Sequence, residues 1–161
     1  MMKKVRRLLA FLILVLLLTA LAAPCAFADL TFAGDEESLK GEYDSTVFQA
    51  GTNPVSNADI RGIFFSAGNS VIADGSSEYA FVAGNTVTVS GTIGRDAFIA
   101  GNSVSFTGDC ARDLAAAGNS VEIRGIVERD LAAGGKNVII SGRVDGNVYL
   151  AAESIDRKAH V

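Results

Sequence analysis

The sequence predicts an all-β fold, a single-stack parallel β-helix or β-solenoid with about 17 residues per rung and about seven rungs. Three observations carry this expectation. Residue types recur at a step of 17: Val87, Val104, Val121 and Val138 form one column, and Gly91, Gly108, Gly125 and Gly142 another. Within a rung, Val104 and Phe106 alternate with Ser105 and Thr107, the period of a strand whose successive side chains point to opposite faces. Finally, the columns are rich in Val, Thr, Ser and Gly, whereas paired-helix repeats need more than about 30 residues per unit; short strands turned at Gly and Asn are what remains.

Residues 1–28 read as a secretory signal: Lys3, Lys4, Arg6 and Arg7, then an apolar run of 16 residues from Leu8 to Ala23, then Ala26-Phe27-Ala28. The run is shorter than the roughly 20 residues that span a bilayer, so cleavage after Ala28 is expected. The product would be secreted or extracytoplasmic, in the periplasm or at the cell surface, touching membrane only through this segment if it stays uncleaved. Residues 29–46 form an acidic N-terminal segment or a loose first rung, with Asp35, Glu36, Glu37, Glu42 and Asp44. The solenoid is expected over 47–155, and 156–161 is a C-terminal tail without apolar periodicity.

Within the solenoid, the apolar columns Val89, Phe106, Ile123, Ile140 and Ile93, Cys110, Val127, Val144 mark inward positions. A further column, Leu30, Val47, Phe64, Ala80, Ala97, Leu114, Leu131, Val148, extends the period almost to residue 29. Ala-Gly pairs at 33, 50, 67, 83, 100 and 117 are spaced 17, 17, 16, 17 and 17, which places the loss of one residue near Gly75 to Glu78. The Gly108 column fits a corner that needs unusual backbone angles or close approach of chains. Asn69, Asn85, Asn102 and Asn119 fit a left-handed corner position, and when stacked could hydrogen-bond to one another as a ladder.

Four of the 14 Lys and Arg lie in the signal, leaving ten against 18 acidic residues and a formal net charge of −8. That balance, without any basic run, argues against nucleic acid and against a polybasic lipid surface. Of the two cysteines only Cys110 lies beyond the signal, so no intramolecular disulfide is expected, and its apolar column makes it a small buried hydrophobe. No catalytic set assembles and no cofactor or metal site is expected: the lone His160 is the penultimate residue, and no base is positioned beside the many Ser and Thr.

Two columns invite a site. Arg95, Arg112 and Arg129 recur at one phase with Asp96, Asp113 and Asp130 directly after them, readable as a solvated ladder of alternating charge or as a metal or anion site. The other is Phe48, Phe65, Phe81, Phe98, Ala115, Ala132 and Tyr149. If it faces solvent it is a flat apolar stripe, and the aromatic members Phe48, Phe65, Phe81, Phe98 and Tyr149 are candidate self-association residues; otherwise both sides of a corner are buried.

The rungs from Ala100 to Gly108 (AGNSVSFTG) and from Val138 to Val148 (VIISGRVDGNV) resemble bactofilins, the polymer-forming bacterial cytoskeletal family, over about Phe64 to Ile155. The resemblance implies a right-handed β-helix assembling end to end into filaments without nucleotide, so that its partner is itself. This chain departs from the family's cytoplasmic habit in carrying a secretion signal. The expected function is therefore a non-enzymatic, bactofilin-like polymer or scaffold outside the cytoplasmic membrane. The alternative is a module binding cell-envelope components or polysaccharide through a flat solenoid face. An enzyme on this scaffold would need a carboxylate cluster that the columns do not show.

Overall fold

A computed structural model describes residues 30–34 and 38–157. The segment expected to be a secretory signal, with the expected cleavage at Ala28, the acidic residues 35–37 and the end of the tail with His160 lie outside the described residues.

The described residues form one sheet of fourteen strands, every pair of them parallel. On its aromatic side the strands stack in sequence order: Leu30–Ala33, Thr46–Ala50, Asp59–Ala73, Ser76–Val89, Ala97–Phe106, Leu114–Ile123, Leu131–Ile140 and Val148–Arg157. A second ladder of two-residue strands runs Thr92–Ile93, Asp109–Cys110, Ile126–Val127 and Arg143–Val144. The predicted solenoid is thus observed, with the step of 17 intact from Ala80↔Ala97 onward.

Each rung turns three apolar stretches inward, as in Leu114 and Ala116, Val121 and Ile123, then Val127, all at most 4 % exposed. Burial of each large aliphatic side chain contributes about 1.5 to 3 kcal/mol, available only when rungs above and below cover it. Between the second and third stretches the backbones of successive rungs nearly touch. A Cβ on Gly108 would lie 1.9 Å from the Gly91 carbonyl oxygen, and one on Gly125 1.8 Å from that of Gly108. Close approach, not backbone angle, selects this glycine column, because among the described residues only Gly41 has positive φ. The Asn column is corrected on the same ground. Asn69, Asn85, Asn102 and Asn119 are exposed, have no left-handed backbone, and show no side-chain ladder among the described residues.

Two registers differ from the expected ones. The first step is 16, not 17: Thr31 pairs with Val47 and Phe32 with Phe48, so Leu30 points outward at 51 % exposure instead of continuing the Val47 column. Stacking of the Phe32 and Phe48 rings, centroids 5.5 Å apart, accompanies this register and places Thr31, not Leu30, at the inward phase. The lost residue lies between Ser77 and Ala80. Ile60↔Ser77 and Ile63↔Tyr79 leave Arg61 and Gly62 opposite Glu78 alone, a bulge at one corner.

The described part of the acidic segment belongs to the first turn. Leu39 is buried and bridges to Ser56, Glu42–Tyr43 pairs with Asp59 and Ile60, and Arg61 holds both Glu42 (3.0 Å) and Asp44 (3.1 Å). Inside the early rungs, buried Gln49 donates from Nε2 to the Val55 carbonyl at 3.0 Å. It also accepts from Ser66 Oγ, so the polar pair is satisfied within the core.

Candidate functional site

The aromatic column faces outward. Ala97 and Ile99 point into the core, so strand alternation sends Phe98 and Ala100 to the surface, and the same parity holds in the rungs above and below. Parallel pairing then places Phe48 beside Phe65, Phe65 beside Phe81 and Phe81 beside Phe98. Their ring centroids are 4.7, 4.9 and 5.0 Å apart with planes within 17° of parallel. Phe32, which a uniform step of 17 leaves out of the column, tops the stack. The signal that could have found it is the 16-residue interval from Phe32 to Phe48, the same as from Phe65 to Phe81.

Stacking at the strand spacing is worth about 0.5 to 1.5 kcal/mol per pair beyond area burial, which offsets part of the cost of leaving apolar rings outside. Phe48, Phe65 and Phe81, covered by rings on both sides, are half-buried, whereas Phe98 is 50 % exposed because Ala115 follows it. Tyr149 is not brought into the stack. Ala115 and Ala132 separate it from Phe98, and it stands alone at 60 % exposure.

Two residues further along each strand, Ala50, Ala67, Ala83, Ala100, Ala117, Gly134 and Ala151 form a second outward column of small side chains. In the sequence several of these alanines serve only as register marks. Together the two columns make an open apolar trough of about 870 Å³ running the length of the stack. Its lining residues include no charged side chain. Gln49 and Ser66 point into the core, which leaves the Tyr149 hydroxyl as the polar group on its surface. Such a surface can bind by area and shape, with the Tyr149 hydroxyl as its one outward polar side-chain group among the lining residues.

The charge columns lie at a different corner and form the ladder of alternating charge. Arg112 Nε lies 3.5 Å from Asp96, and Arg129 grips Asp113 through two nitrogens, with Nε to Oδ1 at 2.7 Å. Each carboxylate also accepts a backbone N–H from the next rung: Asp113 N–H to Asp96 (3.3 Å), Asp130 N–H to Asp113 (3.2 Å) and Asn147 N–H to Asp130 (2.8 Å). Hydrogen bonds from Arg129 hold the Asp113 carboxyl below its ordinary range, and the Arg129 guanidinium is raised in return. The carboxylates of the Asp column are thus met by guanidinium groups of the Arg column and by backbone amides of the next rung of their own column.

Cys110 is fully buried, its thiol within 3.1 Å of the Arg95 carbonyl oxygen and 3.4 Å of that of Asp113. Burial pushes its pKa up, which leaves it a packed thiol and not a nucleophile. Among the described residues no group of three or more His, Cys, Asp and Glu side chains is placed to hold a metal ion. In comparisons with known proteins, no family model, no curated protein and no solved structure matches this chain.

Proposed function

We propose that this chain is a non-enzymatic structural protein that self-assembles end to end, a bactofilin-like polymer or scaffold outside the cytoplasmic membrane. The observation that carries the reading is the last described layer of the stack, which no described strand covers. Val148 and Leu150 are only half-buried and Ile155 is 48 % exposed, while their counterparts Leu131, Ala133 and Val138 one rung earlier are at most 5 % exposed. Among the described residues no strand pairs with the far edge of Val148–Arg157 or with the outer edge of Leu30–Ala33. An open parallel edge above an apolar layer is a template for another rung. Stacking head to tail is heterologous and does not close, so it generates filaments. The site outside the membrane rests on the signal at residues 1–28.

The alternative, a module for polysaccharide or another envelope component, is less well supported. Sugars stack on ring faces, and those of Phe48, Phe65 and Phe81 are already occupied by their neighbours.

Light scattering and negative-stain microscopy of the full chain over a range of concentration test the proposal. Filaments or an oligomer ladder are expected, and Ile155→Asp, which puts a charge on the uncovered layer, should raise the concentration needed for assembly at least about tenfold. A monodisperse monomer at every concentration would end the polymer reading.

A further inference from the structure

The apolar face is not uniform: its relief is self-complementary. Along the outward aromatic column, Phe65, Phe81 and Phe98 stand up from the sheet, Ala115 and Ala132 form a notch two rungs wide, and Tyr149 closes the notch. All of these sit on parallel strands about 4.8 Å apart, so the notch of one copy has the same pitch as the stacked rings of another.

We propose that this face pairs two copies of the chain side by side and antiparallel, about a two-fold axis that runs along the strands between Phe98 and Ala115. Rotation about that axis keeps each column facing its own counterpart and reverses the order of rungs. Phe98 of one copy then lies over Ala115 of the other, Phe81 over Ala132, and Phe65 meets Tyr149 at each end. Shifting the axis by half a rung or a whole rung toward the N-terminus keeps rings over Ala115 and Ala132 but adds ring-on-ring contact at the centre, Phe98 against Phe98 or Phe81 against Phe98, besides the aromatic pair with Tyr149 at each end, so more ring pairs hold the sheets apart. A parallel arrangement, with each rung facing its own equivalent, would set ring on ring throughout the stack and alanine on alanine across the notch.

A second copy fits this face better than a membrane or a charged partner does. The trough has no charged side chain to meet a lipid headgroup or an ionic ligand. Its length and pitch match those of a second copy by symmetry, and the small-residue column lets the sheets approach. Six overlapping rungs give a contact about 29 Å long and about 13 Å wide, roughly 750 Å² in total over both copies. That falls below the roughly 1,000 Å² of a specific stable interface, so isolated chains pair weakly. Chains joined end to end add such contacts, and the pairing becomes firm. This strengthening rests on the end-to-end assembly proposed above; the pairing itself does not.

Cysteine cross-linking tests the register. In the full chain with Cys25→Ser, two variants, Phe81→Cys and Ala132→Cys, are oxidised separately and as a mixture at high protein concentration. The parent carrying only buried Cys110 serves as the control. In the proposed register each new cysteine lies about three strand spacings, roughly 14 Å, from its own copy's counterpart, too far for a disulfide, but directly opposite the other variant. The mixture should therefore link and the separate variants should not. The same result is expected when Ile155→Asp is added, so loss of end-to-end assembly and failure of lateral pairing are read separately. A second measurement moves the relief: Ala132→Phe should abolish association measured by sedimentation, and Phe81→Ala with Ala132→Phe should restore it. The proposal is overturned if the mixture does not link, as when the residues 1–29 segment, lipid or glycan covers the face instead. It is also overturned if either variant links to itself as readily as the mixture does, or if the double variant fails to recover.

Discussion

Replacing Gly108 with alanine should cost several kcal/mol although it adds one methyl group at a corner. The added Cβ would lie 1.9 Å from the Gly91 carbonyl oxygen and 2.8 Å from the Ser90 carbonyl carbon, where real contacts do not fall below 3.0 Å. One rung must therefore move away from the other by about an ångström, against backbone and not against a flexible side chain. The displaced Gly91 oxygen is the acceptor for the Asp109 N–H at 3.3 Å, so that ladder bond is lost or stretched. Overpacking costs about 1 to 3 kcal/mol and the bond about 1 kcal/mol, for an expected loss of about 2 to 4 kcal/mol. Because each rung contacts only its neighbours, the damage also weakens coupling between the two halves of the stack. The control is Gly94→Ala, whose added Cβ meets nothing closer than 3.8 Å and whose φ is not positive. It should lie within about 0.5 kcal/mol of the parent. Urea denaturation of the full chain followed by far-ultraviolet circular dichroism gives both values. The close-approach argument fails if Gly108→Ala is as stable as Gly94→Ala.

Two further substitutions probe the outer surface. Asp113→Asn should make the chain less stable at neutral pH but less sensitive to acid. The folded-state pKa of Asp113 is depressed, so its contribution is present above the ordinary carboxylate value of about 3.9 and is lost as pH falls through the lower folded value. Melting temperatures of parent and variant should therefore converge below about pH 4, and a gap unchanged down to pH 2 would contradict this. Phe98→Asp should leave the circular dichroism spectrum and the fold intact, because the ring is half exposed and faces solvent, while removing lateral association in sedimentation. Failure of this variant to fold would show the column to be core.

The sequence by itself determined the solenoid, the length of its rung and nearly all of its core. Each of these is a periodic property, and in a parallel stack a residue's environment is set by its equivalents one period away. Val104, Val121 and Val138, or Cys110 among Ile93 and Val127, could be assigned inward without coordinates for that reason. The charge ladder was legible on the same basis, since Asp113 and Arg129 differ by one rung minus one residue.

Only the tertiary structure decided what happens at corners, where alternation restarts with no rule in the sequence to fix its phase. Phe98 could be placed outside only once Ala97 was seen to point inward from the first residue of its strand. The 16-residue first step, which adds Phe32 to the stack and turns Leu30 outward, shows only in the pairing of Leu30–Ala33 with Thr46–Ala50. The glycine column allowed two explanations, and the distance between successive backbones chose close approach. The two-rung alanine notch was present in the sequence as letters, yet it became relief only when the column was known to face solvent, because side-chain volume shapes a surface only on the side where no rung covers it.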